Sequence, residues 1–356
     1  MLKSRYILVS LLLFVCPFLQ PLNAQLGFEL NIKKPAPYEN RELKAEKTGQ
    51  KKFSVSRRIF QNTTTHYNYF FNASAKLNEI IDHAKAAQKD DYSLLLPFYN
   101  YSLYVTAEDS AQLDSVIYKS KTGIVMHDLR NDWVDHLYLL WGVSYYLQKQ
   151  FDSAYQMFQF INYAFAEKEK DGYYKYIGSR MDGNSAVSIA TKEKNSFPKS
   201  AIADPPSRND AFIWQIRTLI QQKSFAEAGS LIATLKNDPA FPKRLYSALE
   251  EVQAYWFYQQ QMWDSSANHL VNALDEAQTK QEKARWEFLA AQLYEKASKF
   301  EEAQKLYTRS IAHTTDPVMD IYARLNLIRI NKTNEDNYID QNIAELLKMA
   351  KRDKYE

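Results

Sequence analysis

The chain has 356 residues, of which 46% are hydrophobic and 14% aromatic, and its formal net charge is +3. Eight glycines and eleven prolines are few for an all-β or loop-rich protein, whereas good helix formers fill long stretches. The near balance of charge gives no indication of nucleic-acid binding.

Residues 1–24 have the features of a signal peptide. Lys3 and Arg5 give a basic start, "YILVSLLLFV" is the apolar run, and Ala24 offers a cleavage site. Because the run is short for a membrane span, we expect cleavage and export; a retained anchor or lipidation at Cys16 is the alternative. Cys16 is the only cysteine, so the mature chain would have no disulfide, thiolate metal site or cysteine nucleophile.

Residues 25–52 are predicted to form an extended basic arm. From Glu29 to Arg58 the chain has nine Lys or Arg residues against four Glu, with two prolines among them. The arm is either a solvated leader or a segment that docks onto an acidic partner or a membrane surface.

Residues 53–167 are predicted to be a helical region that ends in the clearest of four repeats. In that repeat Gly142, Tyr145, Phe151, Ala154 and Phe158 stand at offsets 0, 3, 9, 12 and 16. The same offsets recur further along the chain, at Ile216, Leu219, Phe225, Ala228 and Ile232, at Ala254, Phe257, Trp263, Ser266 and Leu270, and at Ala291, Tyr294, Phe300, Ala303 and Tyr307.

These offsets are those of the tetratricopeptide repeat, a helix-turn-helix unit of about 34 residues. Small residues at two of the positions let antiparallel helices approach closely, so Gly142 is predicted to be a packing residue. The phasing gives units at 135–168, 209–242, 247–280 and 284–317, and the repeat-like array is predicted to span 209–356. We therefore predict an all-α fold, a tetratricopeptide-repeat-like helix-turn-helix solenoid.

Residues 168–208 interrupt the array as a long irregular loop. The loop contains Tyr173, Tyr174, Tyr176 and Arg180, residue types that often anchor protein interfaces. A loop of this length inside a compact array is usually functional or disordered, so we predict a partner-binding loop. At its end Ser207 precedes Asp210 by three residues, which predicts a capping-box-like helix start.

The repeat phasing also predicts a partner-binding groove. Five positions of each first helix line the concave face of such an array, and the alternative is that these side chains are packed or merely solvated. The positions select His136, Tyr146, Arg217, Gln221, Glu251, Tyr255, Tyr258, Arg285, Gln292 and Lys296, together with Leu139, Val143 and Glu295.

We find no catalytic motif in the sequence. The richest cluster of potential ligands is "MHDLRNDWVDH", which contains His127, Asp128, Asp132, Asp135 and His136. A divalent ion is conceivable there, but a solvated helix junction is the simpler interpretation. No nucleophile elbow or glycine-rich phosphate loop occurs, so we expect no cofactor, no metal and no enzymatic activity.

Several segments outside the repeats resemble the SprE/PorW family, the tetratricopeptide proteins of type IX secretion and gliding motility. The resemblance covers roughly residues 26–356. The segments that carry it are "RRIFQNTTTHYNYFFNASAKLNE", "SLLLPFYNYS", "MHDLRNDW", "KEKDGYYKYIGS", "PPSRNDAFIWQIRT" and "RINKTNEDNYIDQNIAELLKMAKRDKYE". It implies a periplasmic protein at the outer membrane, required for export of cargo, with other components of that machinery as partners.

The expected function is therefore that of a non-enzymatic scaffold or adaptor. It would bind translocon components through the concave groove and the long loop, with no nucleic-acid partner and no small-molecule substrate. The alternatives are a SusD-like helical-repeat receptor for glycans or other small ligands, and a metal-dependent enzyme that uses the Asp/His cluster.

Overall fold

The structure is a computed structural model that describes most of the chain in one compact unit, Lys34–Glu356. The described residues are 34, 39–40, 42–50, 52–166, 188–193 and 204–330, with the positions 340, 343–344, 346–348 and 351. Within these residues there are thirteen α-helices and no strand, so the prediction of an all-α helical-repeat fold is confirmed.

The first helices lead into the repeats. They are α1 (Val55–Thr65), a π-helical turn (His66–Phe70), α2 (Phe71–Ala87), α3 (Leu103–Glu108) and α4 (Ser110–Met126). The side chain of Ser54 caps α1 by accepting a hydrogen bond from the Arg57 amide. Helix α2 packs against α4, and α4 packs against the first repeat.

The four predicted repeats each contain one helix pair, and neighbouring helices pack in chain order. The pairs are α5 (Val134–Leu147) with α6 (Phe151–Ala164), α7 (Arg208–Gln221) with α8 (Phe225–Lys236), α9 (Tyr246–Gln259) with α10 (Trp263–Asn272), and α11 (Lys280–Lys296) with α12 (Phe300–His313). Helix α13 (Pro317–Ile330) follows, and it packs against α12.

The small residues lie where the two helices of a pair cross. Ala154, Ala228, Ala254 and Ala303 are completely buried. A Cβ atom added to Gly142 would lie 2.6 Å from Cε1 of Phe158, which is itself completely buried. Gly142 is therefore a packing residue, as the repeat pattern predicts, because the facing ring occupies the space that a methyl group would need.

The turns inside the repeats share a backbone conformation that the sequence did not indicate. Lys149, Lys223, Gln261 and Ser298 have φ values of 63°, 62°, 58° and 60°, and each lies seven residues after the first small position of its unit. At Lys149 the amide donates to Tyr146 O, and the next amide donates to Tyr145 O. The same pair of bonds recurs in the other three turns, which makes each a Schellman ending without glycine.

The predicted capping box at Ser207 is wrong in detail. Ser207 does precede α7, but its side chain makes no capping bond. Its amide instead donates to Oδ2 of Asp135, at 2.8 Å, on the preceding pair. A tertiary contact thus replaces the local one.

We predict that Gly142→Ala destabilises the protein by about 1 kcal/mol. Overpacking costs about 1–3 kcal/mol, and the better helix propensity of Ala offsets about 1 kcal/mol of that. Urea denaturation measures the change. Gly49→Ala is the matched control, because no atom lies within 4 Å of the added Cβ there. An increase in stability for Gly142→Ala would contradict the assigned packing role.

Candidate protein-binding groove

Several of the predicted groove residues in the last three pairs contact one stretch of the same chain. We call residues Asp90–Tyr101, between α2 and α3, the groove segment. It has no helical structure, and it crosses α9 and α11. Leu96 is completely buried and Phe98 nearly so, and both belong to the hydrophobic core of the repeats.

Arg285 of α11 makes the most extensive contact with the groove segment. Its guanidinium donates to the carbonyl oxygens of Pro97 (2.8 Å), Phe98 (3.1 Å) and Tyr99 (3.3 Å). It also pairs with the Asp90 carboxylate, at 2.5 Å. Arg285 is almost fully buried, and a buried guanidinium must place its N–H donors on acceptors, which these four groups supply.

Two further groove residues bind the backbone of the segment. Gln292 donates to Leu94 O (2.7 Å) and accepts from the Leu96 amide (3.0 Å). The Tyr258 hydroxyl donates to Leu96 O (2.9 Å). These side chains bind main-chain groups of the segment, so the bonds place no demand on the identity of its side chains.

A buried ion pair lies beside Tyr99 of the segment. Arg217 of α7 pairs with Glu251 of α9, and the Tyr99 hydroxyl donates to the same carboxylate at 2.5 Å. Burial, followed by the negative charge of Glu251, raises the pKa of Tyr99 well above its ordinary value. The Glu251 carboxylate thus lies between one cation and one hydroxyl donor.

The aromatic residues of the groove pack on the segment instead of facing solvent. The Phe98 ring lies 5.0 Å from that of Tyr255 and 5.5 Å from that of Tyr258. Tyr99 also packs on Tyr255, at 4.9 Å. A sugar-binding receptor needs an accessible aromatic platform, and these rings do not offer one while the segment is in place.

The other predicted groove residues have different surroundings. Gln221 donates to the Tyr255 hydroxyl at 2.7 Å, and the Lys296 ammonium lies 5.8 Å from the Trp263 ring. His136 packs near Phe70 and Trp133, and Tyr146 packs near Phe151 and Trp214. Partner binding by this set stays a prediction.

The predicted loop residues Tyr173, Tyr174, Tyr176 and Arg180 lie outside the described residues. Of the described residues of that loop, 188–193 pack on the second repeat. Asp238 accepts from the amides of Ile189 and Ala190, both at 2.7 Å. The loop is therefore attached to the array near its middle.

The aspartates of the Asp/His cluster make internal contacts. Asp128 pairs with Arg57 (3.0 Å) and Arg130 (2.8 Å), and Asp132 pairs with Arg58 (2.7 Å). The hydrogen bonds from Arg130 hold the pKa of Asp128 below its ordinary value. Among the described residues no group of three or more His, Cys, Asp or Glu side chains is arranged to hold a metal ion.

His127 of this cluster is held neutral inside the structure. It is 3% exposed, and its Nδ1 lies 3.1 Å from Oε1 of Gln61. Gln61 Oε1 also accepts from the Asp128 amide, so the His127 Nδ1 acts as the donor. Burial, and to a smaller extent the nearby charge of Lys44, lowers the pKa of His127 to about 4.

The groove segment was not predicted as a structural element from the sequence. The overlapping stretch "SLLLPFYNYS" is noted above only for the family resemblance. A usable signal was present, since an apolar run between two helical regions must be covered, and its proline excludes a continuous helix. The acceptors that match Arg285 are backbone carbonyls, however, and a sequence does not show where these point.

No protein-family model matches the chain, and no curated protein matches it either. Within the part of the chain that the structure describes, none of the helices has the length and apolar character needed to cross a membrane.

We predict that Leu96→Ala and Leu94→Ala differ sharply in their effect on stability. Leu96 is completely buried, and removing such a side chain costs about 2–5 kcal/mol of unfolding free energy. Leu94, two residues away, is 64% exposed, so its loss should stay within about 0.5 kcal/mol. Urea denaturation of both variants tests whether the segment is a stable part of the groove. Similar small effects would show that it is not.

We predict that His127 makes stability fall as the pH is lowered from about 6.5 to 4. Between these pH values His127 is protonated in the unfolded chain but neutral in the folded protein. The free energy of unfolding therefore falls by about 1.4 kcal/mol for each pH unit. The difference in unfolding free energy between wild type and His127→Gln should therefore decrease as the pH is lowered through this range. The difference should be constant above pH 7.5, which serves as the internal control, and a flat profile throughout would contradict the assignment.

Proposed function

We propose that the protein is a non-enzymatic scaffold of the type IX secretion and gliding-motility machinery. In this proposal a cleavable signal peptide exports it to the periplasm, where it associates with the outer membrane. Its partners are other proteins of that machinery. The family resemblance of the segments outside the repeats supports the assignment to type IX secretion. The helical-repeat fold supports the scaffolding role.

The observation that carries the scaffolding role is the way the groove holds polypeptide. Arg285, Gln292 and Tyr258 bind an extended stretch of chain through its main-chain carbonyl and amide groups. This is the chemistry of peptide recognition. Because the groove segment already fills these positions, we propose that partners contact the edges of the filled groove and the loop that contains Tyr173, Tyr174, Tyr176 and Arg180.

Secretion in the native cell tests this function. Deleting the gene should abolish release of type IX cargo into the medium, and a copy of the wild-type gene should restore it. The loop variant Tyr173→Ala/Tyr174→Ala/Arg180→Ala should restore less, because it lacks interface anchors.

The control variant is Tyr118→Ala/Tyr246→Ala, which removes two exposed tyrosines from α4 and α9. It should restore secretion fully. Immunoblots of the cell fraction confirm equal accumulation of every variant. Normal secretion after deletion of the gene would overturn the proposed function. If deletion abolishes secretion but the loop variant restores it fully, the partner contact lies outside the loop.

A further inference from the structure

Residues 188–193 of the long loop are held by a second set of side chains, which does not overlap with the groove residues. We call this segment the strap. The side chains that hold it, which we call the strap site, stand at helix ends along one edge of the array. They are Arg208 and Asn209 at the start of α7, Asp238 after α8, and Arg244 before α9.

The strap site binds the main chain of the strap. The Asp238 carboxylate accepts hydrogen bonds from the amides of Ile189 and Ala190. Asn209 binds Thr191 twice, because its Oδ1 accepts from the amide at 2.9 Å and its Nδ2 donates to the carbonyl oxygen at 2.8 Å. In peptide recognition such main-chain bonds give affinity, and contacts to individual side chains give specificity.

Three side chains of the strap supply contacts of the second kind. Each is a hydroxyl or a carboxylate, and the pairs are Ser188 with Asp238 (2.8 Å), Thr191 with Arg208 (2.8 Å) and Glu193 with Arg244 (2.9 Å). The strap site therefore selects a hydroxyl residue, a second hydroxyl residue three positions later, and a carboxylate two positions after that.

Most of the strap site is also held by contacts that do not involve the strap. Three of its four side chains bind groups of the array, and these pairs are Arg208 with Asn162 O (2.8 Å), Asp238 with the Ala240 amide (2.8 Å) and Arg244 with Asp210 (2.9 Å). These side chains should therefore keep their positions when the strap detaches. A site that is already ordered binds a peptide with a smaller loss of conformational entropy.

The strap can detach without opening the hydrophobic core. None of its six residues is buried, and Ile189 and Ala190 only pack against the border of the core. The groove segment differs, because Leu96 is completely buried and Phe98 nearly so. Detachment of the strap exchanges mainly polar contacts for contacts with water, so it should need much less free energy than global unfolding.

We propose that the strap site is a peptide-binding site that exchanges the strap for a segment of a partner protein. The partner segment has a hydroxyl residue at its first and fourth positions and an acidic residue at its sixth. This names the kind of partner segment, so it rests on the proposed scaffold function. Because the strap belongs to the same chain, it competes at a high effective concentration, and only a tight or locally concentrated partner displaces it.

Hydrogen exchange of the full chain tests whether the strap detaches. The amides of Ile189, Ala190 and Thr191 should exchange by local opening, with protection at least about tenfold lower than that of the Leu96 amide. The Leu96 amide is the internal control, because Gln292 accepts its hydrogen bond within the groove. Equal protection of the two segments would overturn the proposal, since the strap would then be a fixed part of the array.

Peptide binding tests the recognition. Thr191→Pro removes the amide hydrogen and the hydroxyl that the strap site binds, so the strap of this variant should leave the site. A fluorescent peptide with the sequence of residues 186–195, "AVSIATKEKN", should bind this variant at least about tenfold more tightly than it binds wild type. The same peptide with Thr191→Pro should bind neither protein. Circular dichroism verifies that the variant is folded.

A charge exchange tests whether the peptide occupies the strap site itself. In the Thr191→Pro background, Arg244→Glu should weaken binding of the peptide, and the peptide with Glu193→Arg should restore it, because the ion pair is re-formed with the charges reversed. Lys243→Glu is the matched control, since it makes the same change of charge at the neighbouring exposed residue. It should leave binding of both peptides unchanged.

Two results of the peptide experiments would overturn the proposal. One is a folded Thr191→Pro variant that does not bind the peptide at concentrations up to about 1 mM. The other is binding that Arg244→Glu and Lys243→Glu change equally. If Thr191→Pro does not fold, Glu193→Arg in the full chain releases the strap instead, and the same outcomes decide. These measurements use purified protein, so they can fail while the secretion test succeeds.

Discussion

The buried guanidinium of Arg285 is the contact on which the groove depends. It satisfies three consecutive backbone carbonyls and the Asp90 carboxylate at once, so the chain between α2 and α3 has a fixed path. Without Arg285 the Phe98 carbonyl would be buried and unpaired, at a cost of about 1–3 kcal/mol. The aromatic packing of Phe98 on Tyr255 and Tyr258 follows from that path.

The repeat architecture was predictable because its signals are local and redundant. Gly142 and Ala154 stand at offsets that recur in three other units, and a helix crossing needs small residues at such positions whatever surrounds it. The αL turns, by contrast, could not be inferred. Lys149 is not a residue type that indicates positive φ, and its conformation accompanies the two amide bonds to Tyr146 O and Tyr145 O that end the helix.

The shared face of two predicted groove residues follows from the sequence, but what contacts that face does not. Arg285 and Gln292 are seven residues apart on one face of α11, and both contact the groove segment. What fills the groove depends on a contact almost 200 residues away along the chain, and no local pattern encodes such a pairing. Glu251 illustrates the difference, because its repeat position predicts a partner-binding residue of the groove, whereas Arg217 and Tyr99 of the same chain contact its carboxylate.

The groove segment changes how this array should fold. An ordinary repeat protein is nearly one-dimensional, since each unit touches only its neighbours and folding can spread from any point. Here the hydrogen bond from Gln292 to Leu94 spans 198 residues, which raises the contact order and closes a long loop. The segment's binding site is incomplete until α11 has formed, so an early part of the chain waits for a late one. The array should consequently unfold as one cooperative block where a simple repeat stack would fray from its ends.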